Sequence, residues 1–121
     1  MPDGGTVLNT MNGDQNLELF SRMQENGLTP DKWPVMSFSI GEPEINYIGA
    51  NLTAGSYAAW NYFEVYDSVK STEFVKNLRG KYGDAVVASD PMEAAYVAVN
   101  IWSRAVVKAG SFDVGLPFCI S

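Results

Sequence analysis

The sequence predicts an α/β fold with a mostly parallel sheet. Two observations support this prediction: a strand, a capped helix and a second strand follow one another over residues 6–39, and a long helix is delimited over residues 90–109. The strand–helix–strand order is the unit from which parallel sheets are built. At 121 residues the chain is at most one modest domain, and its 46% hydrophobic content is sufficient for a packed core.

The first strand–helix–strand unit is delimited by turn and cap residues. A strand is predicted over residues 6–10, and Asp14 is the expected N-cap of the following helix. Gly27 and Leu28 have the pattern of a Schellman motif, in which a left-handed glycine and a hydrophobic contact close the helix. The second strand is predicted over residues 35–39. The helix residues expected to face the core are Leu17, Phe20, Met23 and Gln24.

The middle of the chain predicts shorter elements and then a second helix. Residues 40–51 indicate a short irregular or helical segment, and the aromatic-rich residues 55–63 predict a third strand. A helix is predicted over residues 70–82, with Gly83 as its end. Its expected inward side chains are Phe74, Val75, Leu78 and Tyr82.

The last predicted helix, residues 90–109, has the clearest boundaries. Asp90 is a good N-cap, Pro91 suits the first helical position, and Gly110 suits a left-handed C-terminal residue. The helix is apolar over most of its circumference, so it needs cover on more than one side, from this chain or from another. The apolar stripe at helical spacing consists of Ala95, Val99, Trp102 and Val106.

Composition excludes several function classes. The net charge is −6 and the eight basic residues are scattered, which argues against nucleic acid or an anionic membrane surface as a partner. The chain has no histidine and one cysteine, Cys119. Triad hydrolysis, an internal disulfide and most catalytic zinc sites are therefore excluded. We predict no metal, no cofactor and no catalytic residue.

Candidate ligand-binding residues follow the first two predicted strands. In an open parallel sheet, ligands bind beyond the carboxyl ends of the strands, and here those ends carry Asn12, Ser37 and Ser39. Their amide and hydroxyl groups suit a small neutral or weakly polar ligand better than a phosphate. The simpler alternative is that Asn12 only forms a turn before the helix cap.

Several other polar and aromatic residues allow either a structural or a ligand-binding interpretation. Glu93 either completes a capping box at the start of the last helix or accepts N–H bonds from an amide or urea. Trp60 and Tyr96 either belong to the core or form a pocket wall, since both have an apolar body and a polar tip. Glu42 and Glu44 suggest a carboxylate pair, although a solvated helix start explains them more simply.

Taken together, several segments resemble one family, the urea and short-chain amide branch of the type I periplasmic binding proteins that serve ABC importers. The resemblance covers residues 2–113 in one collinear order. The segments that carry it are TVLNTMNGDQNLELF, PVMSFSIGEPEI, GSYAAWNYFEVYDS, EFVKNLRGKYG and DPMEAAYVAVNIWSRAVVKAGS.

The resemblance implies a three-layer fold of which this chain is a C-terminal-half fragment, because a complete member is much longer and has two lobes around a cleft. Residues 1–54 would belong to the C-terminal lobe. Residues 55–113 would supply a crossover strand and helices of the N-terminal lobe. Residues 114–121 depart from the family pattern and read as an irregular tail left by truncation or a frame change.

The resemblance also implies a function. The chain would be a fragment of a solute-binding component for urea or short-chain amides, extracytoplasmic by resemblance although it shows no signal peptide, with an ABC permease as its partner. A cytoplasmic amide-sensing regulator of the same fold and, less favoured, a small α/β amidohydrolase are the alternatives. Self-association of the fragment is also expected. The implied ligand-binding residues are Asn12, Ser37, Ser39, Trp60, Glu93 and Tyr96.

Overall fold

The computed structural model of the chain describes residues 3–66 and 68–113. These residues form three strands and five helices, and the α/β prediction is confirmed. In chain order they are β1 (Val7–Asn9), α1 (Gln15–Glu25), β2 (Val35–Ser37), α2 (Glu42–Ile48), α3 (Ala50–Thr53), β3 (Tyr57–Ala58), α4 (Val69–Tyr82) and α5 (Asp90–Ala109).

The strands form a parallel sheet in the order β1-β2-β3. Val7 lies opposite Val35 and Asn9 opposite Ser37, so β1 and β2 end at the same level. Because all three strands point the same way, their carboxyl ends meet at one edge of the sheet. The candidate ligand-binding residues were predicted from the sequence to lie at this edge.

The third strand is much shorter than predicted. Residues 55–63 were expected to be extended and paired, but only Tyr57–Ala58 joins the sheet. The backbone N–H groups of Asn61 and Tyr62 both donate to the Asp90 carboxylate, at 2.9 Å each, instead of to a neighbouring strand. The Asp90 carboxylate, from a distant part of the sequence, therefore accepts hydrogen bonds that a neighbouring strand would otherwise accept.

The core around the sheet is small. It is formed by five buried apolar residues from α1, β2 and the region of α2, and the partly buried Leu17, Leu28 and Trp33 pack against it. The sequence pattern identified Phe20 and Met23 correctly, whereas Gln24 is exposed. The five buried residues are Phe20, Met23, Val35, Ile40 and Ile48.

The two ends of α1 differ in how well the sequence predicted them. At the C-terminus, Gly27 has φ +68°, and the N–H of Leu28 bonds to the Met23 carbonyl at 2.9 Å, which confirms the Schellman motif. At the N-terminus Asp14 occupies the predicted N-cap position, but its side chain makes no capping hydrogen bond. Asp14 itself has helical angles, φ −64° and ψ −21°, rather than the extended conformation from which a cap side chain reaches back.

Helix α4 is capped by Ser68, whose hydroxyl accepts the N–H of Ser71 at 3.1 Å, and it ends at Gly83 as predicted. Phe74 is buried and meets the ring of Tyr62 edge-on, with centroids 6.0 Å apart. Tyr82 was expected inside but is 63% exposed. As the final residue of the helix it lies beyond the buried turns, and the Lys81 ammonium lies over its ring, 5.3 Å from the centroid.

The chain divides into two compact units, one ending at Asp90 and one beginning at Pro91. The second unit contains nearly all of α5, and Gly110 follows it with φ +64°, as expected of a helix stop. Several large apolar side chains of α5 are exposed, including Val99 at 63% and Trp102 at 53%. The expectation that this helix is covered on more than one side stays a prediction.

The assignment of residues 1–54 and 55–113 to two lobes stays a prediction, because the two units reflect contacts within this chain only. The predicted tail, residues 114–121, and Cys119 within it lie outside the described residues. Over residues 3–66 and 68–113, none of the helices is long and apolar enough to cross a membrane.

Candidate binding edge of the parallel sheet

The candidate site lies at the carboxyl edge of the sheet. Asn12 follows β1, Ser39 follows β2 and Trp60 follows β3, so three of the predicted ligand-binding residues are carried by adjacent strand ends. Asn12 is exposed, whereas Ser39 and Trp60 are half-buried. The fold thus brings to one edge residues that are far apart in sequence.

Three buried polar side chains lie beneath this edge. Asn9 ends β1, Asn16 lies in the first turn of α1, and Ser37 ends β2; their exposed fractions are 2%, 0% and 1%. The Asn9 amide nitrogen donates to the Asn16 side-chain oxygen at 2.7 Å and to the Ser37 hydroxyl at 3.0 Å. We call these three residues the amide network. Ser37 was predicted to bind ligand, and its hydroxyl lies inside the unit as part of this network.

The amide network continues into the loop after β1. The N–H of Met11 donates to the Asn9 side-chain oxygen at 3.0 Å. The Asn16 side-chain nitrogen donates to the carbonyls of Met11 and Gly13, at 3.3 and 3.1 Å. The Ser39 hydroxyl also donates to the Met11 carbonyl, which ties the loop after β1 to the loop after β2.

Sequence reasoning missed Asn9 and Asn16. An asparagine at a strand end or in the first turn of a helix is ordinarily read as a surface residue or a turn former. The only sequence signal was that NGDQN places two asparagines around a turn, which does not distinguish the exposed Asn12 from the buried Asn16. Asn9 and Ser37 are 28 residues apart in sequence, and only the pairing of β1 with β2 brings their side chains together.

Two apolar side chains are also exposed at the edge. Met11 and Phe38 are 41% and 45% exposed, and they neighbour Asn12 and Ser39 in sequence. The edge therefore offers amide and hydroxyl groups beside a thioether and an aromatic ring. This combination suits a small solute with a polar end and some apolar surface.

Glu93 and Tyr96 belong to the second unit, on α5. They are three residues apart and so lie next to each other on the helix surface, Glu93 half-buried and Tyr96 exposed. Their ligand-binding role, like that of the four residues in the first unit, stays a prediction.

The carboxylates of α2 have structural roles. Glu44 accepts the backbone N–H of Gly41 at 2.9 Å, at the start of its own helix. Glu42 accepts the N–H of Val65 at 3.0 Å. The two carboxylates therefore bond to different backbone groups, and both are half-buried rather than fully solvated. In the part of the chain that is described, no group of acidic or cysteine side chains is arranged to hold a metal ion.

A separate cavity of about 140 Å³ lies near the residues that precede the strands. It is lined mostly by apolar side chains, among them Phe20, Trp33 and Leu52. Ser56 also borders it, and its hydroxyl is buried with no hydrogen-bond partner in the described residues. The cavity lies away from the predicted ligand-binding residues, none of which lines it.

Comparisons with known proteins agree with this architecture. The profile of the family described as the periplasmic binding protein domain matches residues 2–116. No curated protein matches the chain. A solved structure, an amino acid ABC transporter substrate-binding protein from Pseudomonas fluorescens Pf-5, is similar with a TM-score of 0.73 and 23% identity. The match covers 88% of this chain and 28% of that protein.

The solved relative supports the fold, and this chain spans less than a third of its length. The family consists of binding proteins, typically extracytoplasmic, so the prediction that the chain is not an enzyme is confirmed. The family match extends over nearly the whole sequence, from the residues before β1 to those after α5. The chain therefore belongs to the periplasmic binding protein domain family.

Proposed function

We propose that the chain is part of the solute-binding component of an ABC importer, located outside the cytoplasm, and that Asn12 and Ser39 contact a small polar solute. The observation that carries this proposal is the position of both residues at the carboxyl edge of a parallel sheet, where open α/β folds bind ligands. The family match and the similarity to an ABC transporter substrate-binding protein support the same role.

The chemistry of the edge favours urea or a short-chain amide as the solute. The residues that follow the three strands, 10–13, 38–40 and 59–61, contain no charged side chain. A zwitterionic amino acid needs countercharges, whereas a neutral amide needs donors and acceptors such as an asparagine amide and a serine hydroxyl. Met11 and Phe38 would contact the alkyl part of a short amide.

We also propose ligand-binding roles for Trp60 of the first unit and for Glu93 and Tyr96 of the second. A carboxylate such as Glu93 accepts N–H bonds from an amide or urea without a net charge on the solute. An aromatic ring such as that of Trp60 or of Tyr96 can cover a face of a planar amide. In the complete protein, closure of two lobes over the solute would produce the form that the permease recognises.

Isothermal titration of the chain with urea, acetamide and alanine tests the solute class. We expect binding of urea or acetamide and about a 2- to 10-fold weaker affinity in Asn12→Ala, the loss expected for a neutral hydrogen bond. Asn46→Ala is the matched control, because Asn46 is an exposed asparagine on α2. A preference for alanine would refute the amide assignment. Absence of binding to all three would refute solute binding by this chain.

We infer that the chain also self-associates through the exposed apolar side chains of α5. Val99 and Trp102 stand more than half exposed, and contiguous apolar surface of this kind marks interaction sites. Sedimentation analysis should show concentration-dependent association that Trp102→Ser weakens. Val65→Ser, on an exposed valine of the first unit, should leave it unchanged. A monomer at all concentrations would contradict this inference.

A further inference from the structure

We propose that the amide network, Asn9, Asn16 and Ser37, positions the loop that presents Asn12 to the solute, with Asn16 as its central positioning residue. This inference rests on the proposed function, since it assigns a role in solute binding to residues beneath the binding edge. It concerns residues that do not themselves reach the surface, because each is at least 98% buried.

Burial of the polar side chains of the amide network has a free-energy cost. Burying an amide is unfavourable unless its hydrogen bonds are satisfied, whereas an apolar side chain of similar size would add to the small core. Each amide is nevertheless fully used: Asn9 donates twice and accepts once, and Asn16 donates twice and accepts once. Such saturation fixes geometry, since every bond restricts the orientation of the next.

The orientation of both amides is determined by their partners. Carbonyl oxygens only accept, so the Asn16 nitrogen must face the Met11 and Gly13 carbonyls, and its oxygen must face Asn9. The Asn9 oxygen must then face the Met11 N–H. An aspartate or a leucine at position 16 cannot reproduce this pattern, because neither donates twice.

The network acts on the two residues that flank Asn12. The Met11 peptide groups are held by Asn9 and Asn16, and the Met11 carbonyl also receives the Ser39 hydroxyl. The Gly13 carbonyl accepts from both the side chain and the backbone N–H of Asn16. Asn12 thus lies between two neighbours whose peptide groups are held in place, so its side chain projects from a defined backbone position.

A carboxylate at position 16 should make solute binding dependent on pH. In Asn16→Asp, the ionised side chain would face two carbonyl oxygens and push the loop away, and protonation would restore one donor. We expect an affinity about 2- to 10-fold weaker than that of the wild type at pH 7, the same range as for Asn12→Ala, with partial recovery at pH 5. The nearby titratable groups among the described residues are Asp14, which precedes α1, Glu18 on α1, and Glu44 and Tyr47 of α2, which line a small pocket together with Gly13.

The control and the decisive measurement separate positioning from general destabilisation. Asn46→Asp makes the same chemical change at an exposed site and should leave affinity unchanged at both pH values. In a double-mutant cycle, most of the loss caused by Asn16→Asp should disappear when Asn12 is alanine, because the two changes act through one contact. Additive losses, or an Asn16→Asp protein with wild-type affinity at pH 7, would overturn the proposal.

Two further arms keep the test decisive. If Asn16→Asp does not fold, the cycle is run with Ser37→Ala, which removes one acceptor of Asn9 and should weaken binding by about 2- to 10-fold only when Asn12 is present. If the wild type binds no amide, the proposed function fails but the network is still tested by NMR. Backbone amide signals of Met11, Asn12 and Gly13 should then shift with pH in the folded variant, and unchanged signals would overturn the positioning role.

Discussion

Replacement of Asp90 by alanine should destabilise the first unit strongly. One carboxylate oxygen of Asp90 accepts the N–H groups of Asn61 and Tyr62, at 2.9 Å each, and the residue is 8% exposed. Asp90→Ala leaves both donors without this partner. A buried donor without a partner costs about 1–3 kcal/mol, and water can reach part of the exposed Asn61, so we expect a loss of about 2–3 kcal/mol in total.

Asp90→Asn separates the hydrogen bonds from the charge. Its side-chain oxygen can still accept both N–H groups, so this variant should lose only about 1 kcal/mol, from the weaker neutral bonds and the missing charge at the start of α5. Unfolding in guanidinium chloride, followed by tryptophan fluorescence, measures the free energy of unfolding of each variant.

Asp84→Ala is the matched control for the alanine variant. Asp84 is an exposed aspartate in the same unit, and its removal should change the free energy of unfolding by less than about 0.5 kcal/mol. Equal losses in Asp90→Ala and Asp90→Asn would refute the hydrogen-bond reasoning. So would an Asp90→Ala protein as stable as the control.

Three other perturbations have defined outcomes. Phe20→Ala should cost about 3–5 kcal/mol in guanidinium chloride unfolding, because Phe20 is one of only five residues in the buried apolar cluster among the described residues; a loss below about 1 kcal/mol would contradict that core. Gly55→Ala should cost about 2 kcal/mol and lower the Tm, because Gly55 has φ +82° and the added Cβ would lie 2.9 Å from Pro30; an unchanged Tm would show that the turn relaxes freely. The pKa of Asp31 is lowered, chiefly by the Thr29 hydroxyl, so the ionised form is favoured in the folded state, and any stabilisation is lost as pH falls through that lowered pKa. An NMR titration should place the Asp31 midpoint below its ordinary value of 3.8 and move it upward in Thr29→Val, and an unmoved midpoint would exclude the hydroxyl as the cause.

The features that the sequence predicted well are local ones. The Schellman end of α1 at Gly27 and the end of α4 at Gly83 depend on residues within a few positions of each other, and both are confirmed. The parallel strand–helix–strand order followed from the same kind of local pattern. The carboxyl edge with Asn12 and Ser39 could then be located, because parallel strands necessarily end together.

The features that the sequence did not predict depend on distant partners. The aromatic residues after Tyr57 have high strand propensity, but the Asp90 carboxylate accepts the backbone N–H of Tyr62, and the Tyr62 ring packs on Phe74. Asn16 is polar and lies at a helix start, so no periodicity distinguishes it from a surface residue. Only the pairing of β1 with β2 brings Asn9 and Ser37 to its side.

The carboxylates that accept backbone N–H groups determine which acidic residues of this protein can be substituted. Glu42 accepts the N–H of Val65, Glu64 accepts that of Ala88, and Asp90 accepts those of Asn61 and Tyr62. Each of these three acids therefore fixes a stretch of irregular backbone that is distant from it in sequence. The chain has 14 acidic residues. A mutant library that replaces surface acids by basic residues should leave these three unchanged. Exposed acids such as Glu73 and Asp84 are better positions for a change of charge, whereas Glu18 and Glu25 both pair with Arg22.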